Sequence, residues 1–430
     1  MVFSLSLWVF CFLALAFNCS AKDQRNAPDS RPSRKIGLAE YLKAVAAANL
    51  DYAAQRYNVS IAKAQIVAAN VSPNPTISFG YTTADQSQPS IYNGGVSETI
   101  EMGGKRSGRV AVAKSNYLSA AATLEDFFRT LRGTAASAFI DAVGDRMIVD
   151  QKRSSYQALD QLSTTNEKRF HAGDIDEVDA DQARVDALQA LDDLDSSESD
   201  SATAAVALVQ LLGTPGAAIP IPVSTLKYGL RDFEPQTLLT RALQLRPDVI
   251  AARHALDSAR ASVRLAQANR YPDLTVGVQF AQTTASTNVI NPSPTFNSTN
   301  LTVSVPLPLF NSYRGEYEAA AQTALQAETT LKSVTLKAEV DIRTNFKRYE
   351  LANARLEQYQ GAALDLADKV YQGKLISYRK GGTTLLDVLT AQKADNDVHL
   401  AYIAALTERA KALVALEQAA AIWDLDDGRG

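Results

Sequence analysis

Apolar residues recur at alternating steps of three and four across most of residues 311–423, a stretch without proline. Leu331, Ala338, Ile342, Phe346, Tyr349, Ala352, Leu356, Tyr359, Ala363, Leu366 and Val370 mark one narrow seam. A seam of this kind keeps facing a partner, which predicts a coiled-coil-like helix and not a buried globular one. The pattern breaks once, over 378–384, where Gly381 and Gly382 permit a sharp reversal. The outgoing arm, 311–377, would reach roughly 100 Å at about 1.5 Å per residue. An ordinary globular helix has about 11–12 residues. The stretch therefore predicts a very long helical hairpin.

The same alternation of periods appears earlier. A helical pattern over 36–71 stops at Pro73 and Pro75. Ile77, Phe79 and Tyr81 then alternate with Ser78, Gly80 and Thr82, the period of a strand with one apolar face. A polar loop over 85–93 leads to a second short strand, 96–102, which ends at Gly103 and Gly104. Helical spacing resumes at Lys105 and lasts to His171, with Asp145 as a charged intruder in the seam. Ala172, Gly173 and Asp174 make a turn, and a return helix is predicted over 176–212.

Beyond a proline-containing linker the pattern starts again. Pro75, Ile77, Phe79 and Gly80 have counterparts at Pro272, Leu274, Val276 and Gly277, at constant offset. Leu274, Val276, Val278 and Phe280 alternate on one face, as do Leu301, Val303, Val305 and Leu307. The chain thus reads as a tandem duplication of helix, strand, strand and long hairpin. The expected divisions are a leader, 1–21; a flexible tail, 22–35; a first repeat, 36–213; a linker, 214–235; a second repeat, 236–424; and a tail, 425–430.

Composition narrows the function. The 430 residues carry a net charge of −4, and the clustered Lys and Arg that nucleic acid requires are missing. The apolar run at the start ends in small residues near Ala21, as a secretory signal does, although no basic residue precedes it. An uncleaved anchor and lipidation of Cys19 remain the alternatives. Both cysteines lie in this run, so a processed chain carries no thiol chemistry. No later stretch approaches the about 20 apolar residues of a membrane helix. No nucleophile elbow, phosphate-cradling glycine loop or zinc spacing is visible, so no enzyme, catalytic residue or cofactor is expected. His171, His254 and His399 are far apart in sequence and are assigned surface or packing roles, with no metal cluster.

Four predicted strands cannot close a membrane barrel alone, since even small barrels need about eight. Left open in lipid, their edges would each cost several kcal/mol. They form either a small soluble sheet or one part of a barrel shared by several chains. The apolar positions Ile77, Phe79, Leu274, Val276, Val303 and Val305 would face lipid in the second case.

The segments Ser97–Arg106 (SETIEMGGKR) and Ser304–Gly315 (SVPLPLFNSYRG) resemble the strand-to-helix junctions of the outer-membrane efflux family, the TolC-like proteins, especially its cobalt–zinc–cadmium branch. Residues 241–248 with Tyr271 and Pro272 resemble the opening of the family's second repeat, and 382–389 its hairpin tip. The resemblance covers about 36–423. It implies a mainly α homotrimer with a small β part. Three chains with four strands each would share a twelve-stranded outer-membrane barrel, continued by a long periplasmic α-barrel. It also implies a passive exit duct working with a periplasmic adaptor and an inner-membrane pump of the resistance-nodulation-division or ABC type. The rival is a non-channel coiled-coil adaptor or envelope scaffold in the periplasm.

Two groups of residues follow from these readings. At the junction, Gly103 and Gly104 let the chain turn, and Pro306 and Pro308 end a strand because they cannot donate to a ladder. Lys105, Arg106 and Arg109 follow the glycines, either as a solvated helix start or as anchors to lipid headgroups, and Arg314 belongs to the second junction. At the tips, Tyr378, Arg379 and Asp387 surround one reversal, and Asp176 and Glu177 the other. By position in the family motif, Tyr378 and Asp387 match gate residues. A ring of Asp387 carboxylates would attract cations, and mutual repulsion would raise their pKa. Tyr378 and Arg379 would bridge to the acids near Asp176.

Overall fold

The computed structural model describes residues 34–83, 89–214, 219–226, 228, 233–286, 290 and 292–423. The expected leader, the expected tail up to residue 33, residues 84–88, Asn291 and the expected C-terminal tail lie outside them. β1 (Arg34–Ile36) leads into α1 (Leu38–Ala48) and α2 (Leu50–Ala69). β2 (Thr76–Thr82) and β3 (Ile91–Ile100) follow. α3 (Lys105–His171) runs out for 67 residues and α4 (Glu177–Leu212) runs back. After β4 (Pro220–Pro222) come α5 (Pro235–Leu245), α6 (Pro247–Ala268), β5 (Leu274–Thr283) and β6 (Phe296–Ser304). α7 (Arg314–Gln358), a π turn (Tyr359–Ala363) and α8 (Leu364–Arg379) form the second outgoing arm, and α9 (Leu385–Ala420) returns.

The long arms pack on one another, α3 against α4 and α9, and α7 against α9, while α2 and α6 lie along α3. Their faces are rich in alanine, which lets helices approach closely. The largest core lies where α1 meets the hairpins: Tyr41, Leu42 and Val45 fit against Phe139, Ile140 and Leu208. Tyr41 hides its ring there and donates its hydroxyl to the Leu208 carbonyl at 3.2 Å.

Three departures from the sequence reading have local causes. The helical run over 36–71 is two helices, because Asn49 takes an extended conformation and caps α2, its side chain accepting from the Tyr52 amide at 2.8 Å. Residues expected in a flexible tail and a linker pair instead: Arg34–Ile36 lies parallel to Pro220–Pro222. The second outgoing arm starts at Arg314 and is interrupted by the π turn, which inserts one residue per turn. Beyond it Leu366 and Val370 are exposed, and Tyr371, Leu375 and Tyr378 pack against α9 and the first tip. The seam has slipped by one position, which a constant 3-4 spacing cannot foresee.

β2, β3, β5 and β6 form one antiparallel sheet in that order, so β2 and β6 are its outer edges. β3 and β6 begin earlier than their apolar positions suggest, because Tyr92–Gly95 and Phe296–Asn300 join the ladder despite their loop-like composition. β6 ends before Pro306, as expected of a residue without an amide proton. Among the described residues no helix is long and apolar enough to cross a membrane.

Candidate functional site

Directly opposed residues of antiparallel strands share a face. Ile77 opposes Val96, which opposes Val278, which opposes Leu301. One row nearer the helices, Val276 lies between Glu98 and Val303, and the next row joins Ile100 to Leu274. Phe79 and Phe280 flank Gly94. The register therefore puts Ile77, Phe79, Leu274, Val276 and Val303 on a single face, and alternation carries Val305 with them. Phe79 is 87% exposed and Val303 62% exposed; Leu274 and Val276, in an inner strand, are half-buried. The other face holds Ser78, Gly95, Ser97, Thr99, Gly277, Gln279, Asn300 and Thr302. The charged exception on the apolar face is Glu98, near the helical end.

The junction is a latch of charges. Gly103 and Gly104 have φ of 70° and 76°, a left-handed conformation that side chains disfavour. A Cβ on Gly103 would also meet the Ala268 carbonyl and Tyr271 at 2.9 Å. The turn brings Lys105 Nζ within 2.8 Å of Asp273 Oδ1, which also accepts from the Met102 amide at 3.0 Å. Burial disfavours the Asp273 charge, but Lys105 and that amide outweigh it and hold the carboxyl below its usual range. Arg109 pairs with Glu101, its Nη2 2.9 Å from Oε2, and donates to the Val71 carbonyl at 3.0 Å. Arg106 Nε donates to Asn70 at 3.2 Å. These cations are thus tied to their own chain, a third arrangement beside the two considered from sequence. Arg314 is exposed and pairs with Glu318 at 2.7 Å on its own helix. Pro306 and Pro308 line a cavity of 270 Å³ with Tyr271 and Asp273. The coil around them exposes Leu307, which the alternation had placed in the strand, and Leu309 and Phe310, which the sequence reading assigned no role.

At the tips the named residues separate. Tyr378 is 6% exposed and packs with Leu162, Ala183, Leu385 and Val388. Its hydroxyl donates to Asn166 at 3.0 Å, and the Arg169 guanidinium sits 5.0 Å over its ring. Burial pushes its pKa up. Within the chain Tyr378 therefore joins the two hairpins through α3, by a partner no sequence signal indicated, and not through Asp176 or Glu177. Arg379 lines a cleft of 450 Å³ with Arg169 and Tyr371. Asp176 and Glu177 are exposed at the start of α4, where carboxylates favour the helix dipole.

Asp387 is half-buried at the third position of α9. Its carboxylate accepts from the hydroxyls of Thr383 at 2.6 Å and Thr384 at 3.0 Å, and from the Thr384 amide at 3.4 Å. The Thr384 hydroxyl in turn accepts from the Asp387 amide, closing a capping box. These bonds, Thr383 first, lower its pKa to about 2. Within one chain the cap thus acts opposite to the rise expected from a ring of like charges. Higher up, a charged cleft of 740 Å³ lies between α3, α7 and α9. In it Lys411 pairs with Asp141 at 2.9 Å, and burial and neighbouring carboxylates push Asp145 up.

The sequence profile of the outer membrane efflux protein family matches residues 42–214 and 238–421. The cobalt-zinc-cadmium resistance protein CzcC of Cupriavidus metallidurans is 24% identical over 389 residues, covering 89% of each chain. The pyoverdine export outer membrane protein OpmQ of Pseudomonas putida is 32% identical over 164 residues, 37% of this chain and 33% of that one. A membrane protein of Pseudomonas aeruginosa superposes with a TM-score of 0.75 at 20% identity, over 89% of this chain and 93% of that one. CusC, described with transmembrane channel formation, superposes with a TM-score of 0.75 at 17% identity, over 92% and 94%. At these identities the structural likenesses establish the fold.

Proposed function

Because the chain belongs to the outer membrane efflux protein family, it is an outer-membrane exit duct of tripartite efflux systems, and we propose that it works as a homotrimer with one shared barrel. One observation carries the proposal: the four-stranded sheet has an apolar face, a polar face and two outer edges. In lipid such edges must be paired. Three copies, β6 of one beside β2 of the next, would close a twelve-stranded barrel with the polar face lining water. Ile77, Phe79, Leu274, Val276, Val303 and Val305 would then face lipid. The residues around 85–93 and 283–298 would lie outside the cell, and the hairpins would reach through the periplasm as an α-barrel.

The recurring element order and the two profile matches support a duplication, with repeats at 36–213 and 236–424. The tips would meet a periplasmic adaptor joined to an inner-membrane pump of the resistance-nodulation-division or ABC type. Tyr378, Arg379, Asp387, Asp176 and Glu177 would shape the constriction. The match to CzcC along most of both chains supports the heavy-metal branch and metal cations as cargo. Fractionation of expressing cells tests the reading against a periplasmic adaptor or scaffold. Heat-modifiable trimers in the outer membrane are expected, and soluble monomers in the periplasm would refute it.

A further inference from the structure

One cluster on the second hairpin lies apart from the residues proposed for the constriction. Asp395 and His399 are four residues apart on α9, so they lie on one helical face. Asp368 reaches them from α8. His399 Nε2 is 3.4 Å from Asp368 Oδ1 and 3.7 Å from Asp395 Oδ1. One ligand atom from each of the three lies within 4.8 Å of both others. Around a tetrahedral ion with bonds of about 2.0–2.1 Å, neighbouring ligand atoms are separated by about 3.3–3.4 Å. The His399 separations are close to such an edge before any ion draws the groups in.

Two further observations point the same way. Asp395 Oδ1 is shielded from solvent and has no hydrogen-bond partner among the described residues. A carboxylate oxygen so shielded, with the His399 ring nitrogen 3.7 Å away and no hydrogen bond, is poorly compensated, and a cation would remove the cost. The π turn at Tyr359–Ala363 lies immediately upstream of α8. By inserting a residue it rotates everything beyond it, including Asp368, by about 100° relative to an unbroken helix. The slipped seam is what turns Asp368 towards α9.

We propose that Asp368, Asp395 and His399 bind one divalent transition cation per chain, of the zinc or cobalt class, clamping α8 to α9. One imidazole nitrogen with carboxylate oxygens suits such ions better than calcium or magnesium, which prefer all-oxygen shells. Water completes the coordination, since three protein ligands leave a position open. The site is on the hairpin flank, about 12–18 Å along α9 from Asp387 at about 1.5 Å per residue. It replaces the surface or packing role expected for His399, and it stands whether or not the chain conducts metals.

The test uses full-length, tag-free protein purified in detergent, titrated with Co²⁺ by visible absorption and with Zn²⁺ by equilibrium dialysis. The native protein should bind one ion per chain. Affinity should fall at least tenfold in His399→Ala and Asp395→Asn, and stay unchanged in His254→Ala. Asp368→Asn, at an exposed position, must weaken binding as well, which separates ligand loss from misfolding. No stoichiometric binding, or equal binding in all variants, would mean that His399 only packs between two carboxylates, and would overturn the proposal.

Discussion

Asn49 and Arg246 stand at the same kind of helix break, at φ −62° and ψ 123° and at φ −62° and ψ 121°. Each reaches the penultimate carbonyl of a return helix: Asn49 Nδ2 donates to Leu211 at 2.9 Å, and Arg246 Nη1 to Ala419 at 3.1 Å. Each thereby satisfies an acceptor that a helix end leaves unpaired. The amide in the first half is replaced by a guanidinium in the second, which also binds Asp248 at 2.6 Å and Asp341 at 3.4 Å.

The two positions should differ in cost. Asn49→Ala removes a cap and a hydrogen bond, worth about 1–2 kcal/mol. Arg246→Ala also strands the half-buried Asp248, so about 3–5 kcal/mol is expected. Burial alone would raise the Asp248 pKa; the Arg246 hydrogen bond and charge outweigh it and leave it lowered. The stability that this pair contributes is present above the ordinary Asp value of about 3.9 and is lost as pH falls through the lowered one. Thermal unfolding in detergent should show a steeper acid loss in the native protein than in Arg246→Ala.

Val303 should meet lipid and Thr302 water. Val303→Arg should cost about 2–4 kcal/mol if it lies near the bilayer midplane. Single cysteines at these positions check the faces, since both natural cysteines, Cys11 and Cys19, lie outside the sheet. A water-soluble maleimide should label position 302 quickly and 303 slowly; the reverse would invert the sheet.

If Asp387 lines the proposed constriction, Asp387→Asn should weaken cation selectivity in planar bilayers. The cap holds its pKa at about 2, so the carboxylate should stay charged, and selectivity flat, from pH 7 down to about 4. Unchanged selectivity in the variant would remove Asp387 from the constriction. Tyr378→Phe with Arg379→Ser should raise the open population, because the first change breaks the bond to buried Asn166.

Gly103→Ala should impair assembly. A Cβ there combines a left-handed penalty of about 1–2 kcal/mol with contacts at 2.9 Å to Ala268 and Tyr271. Tyr271→Ala should restore part of the trimer yield on gels by removing one of the two.

Periodicity made the long arms legible, and the bounds of α3 are those its seam predicts. Period-two alternation likewise placed Ile77, Phe79, Leu274, Val276 and Val303 on a common face. What stayed hidden depends on contacts distant in sequence. Gly94 and Gly95 carry no strand signal, yet pair between β2 and β5. Asn166 meets Tyr378 across two hairpins. Asp273 and Lys105 look like loop and helix-start charges until the Gly103 turn joins them. Asp368 and His399 meet because a π turn shifts the register, and α-helical spacing carries no sign of it.

The shared barrel is tested most directly by the native mass of the detergent-extracted protein. Three chains per particle, dissociating to one on heating, is the result the open sheet edges require. A particle of one chain, with β2 and β6 still unpaired in the membrane, would contradict it.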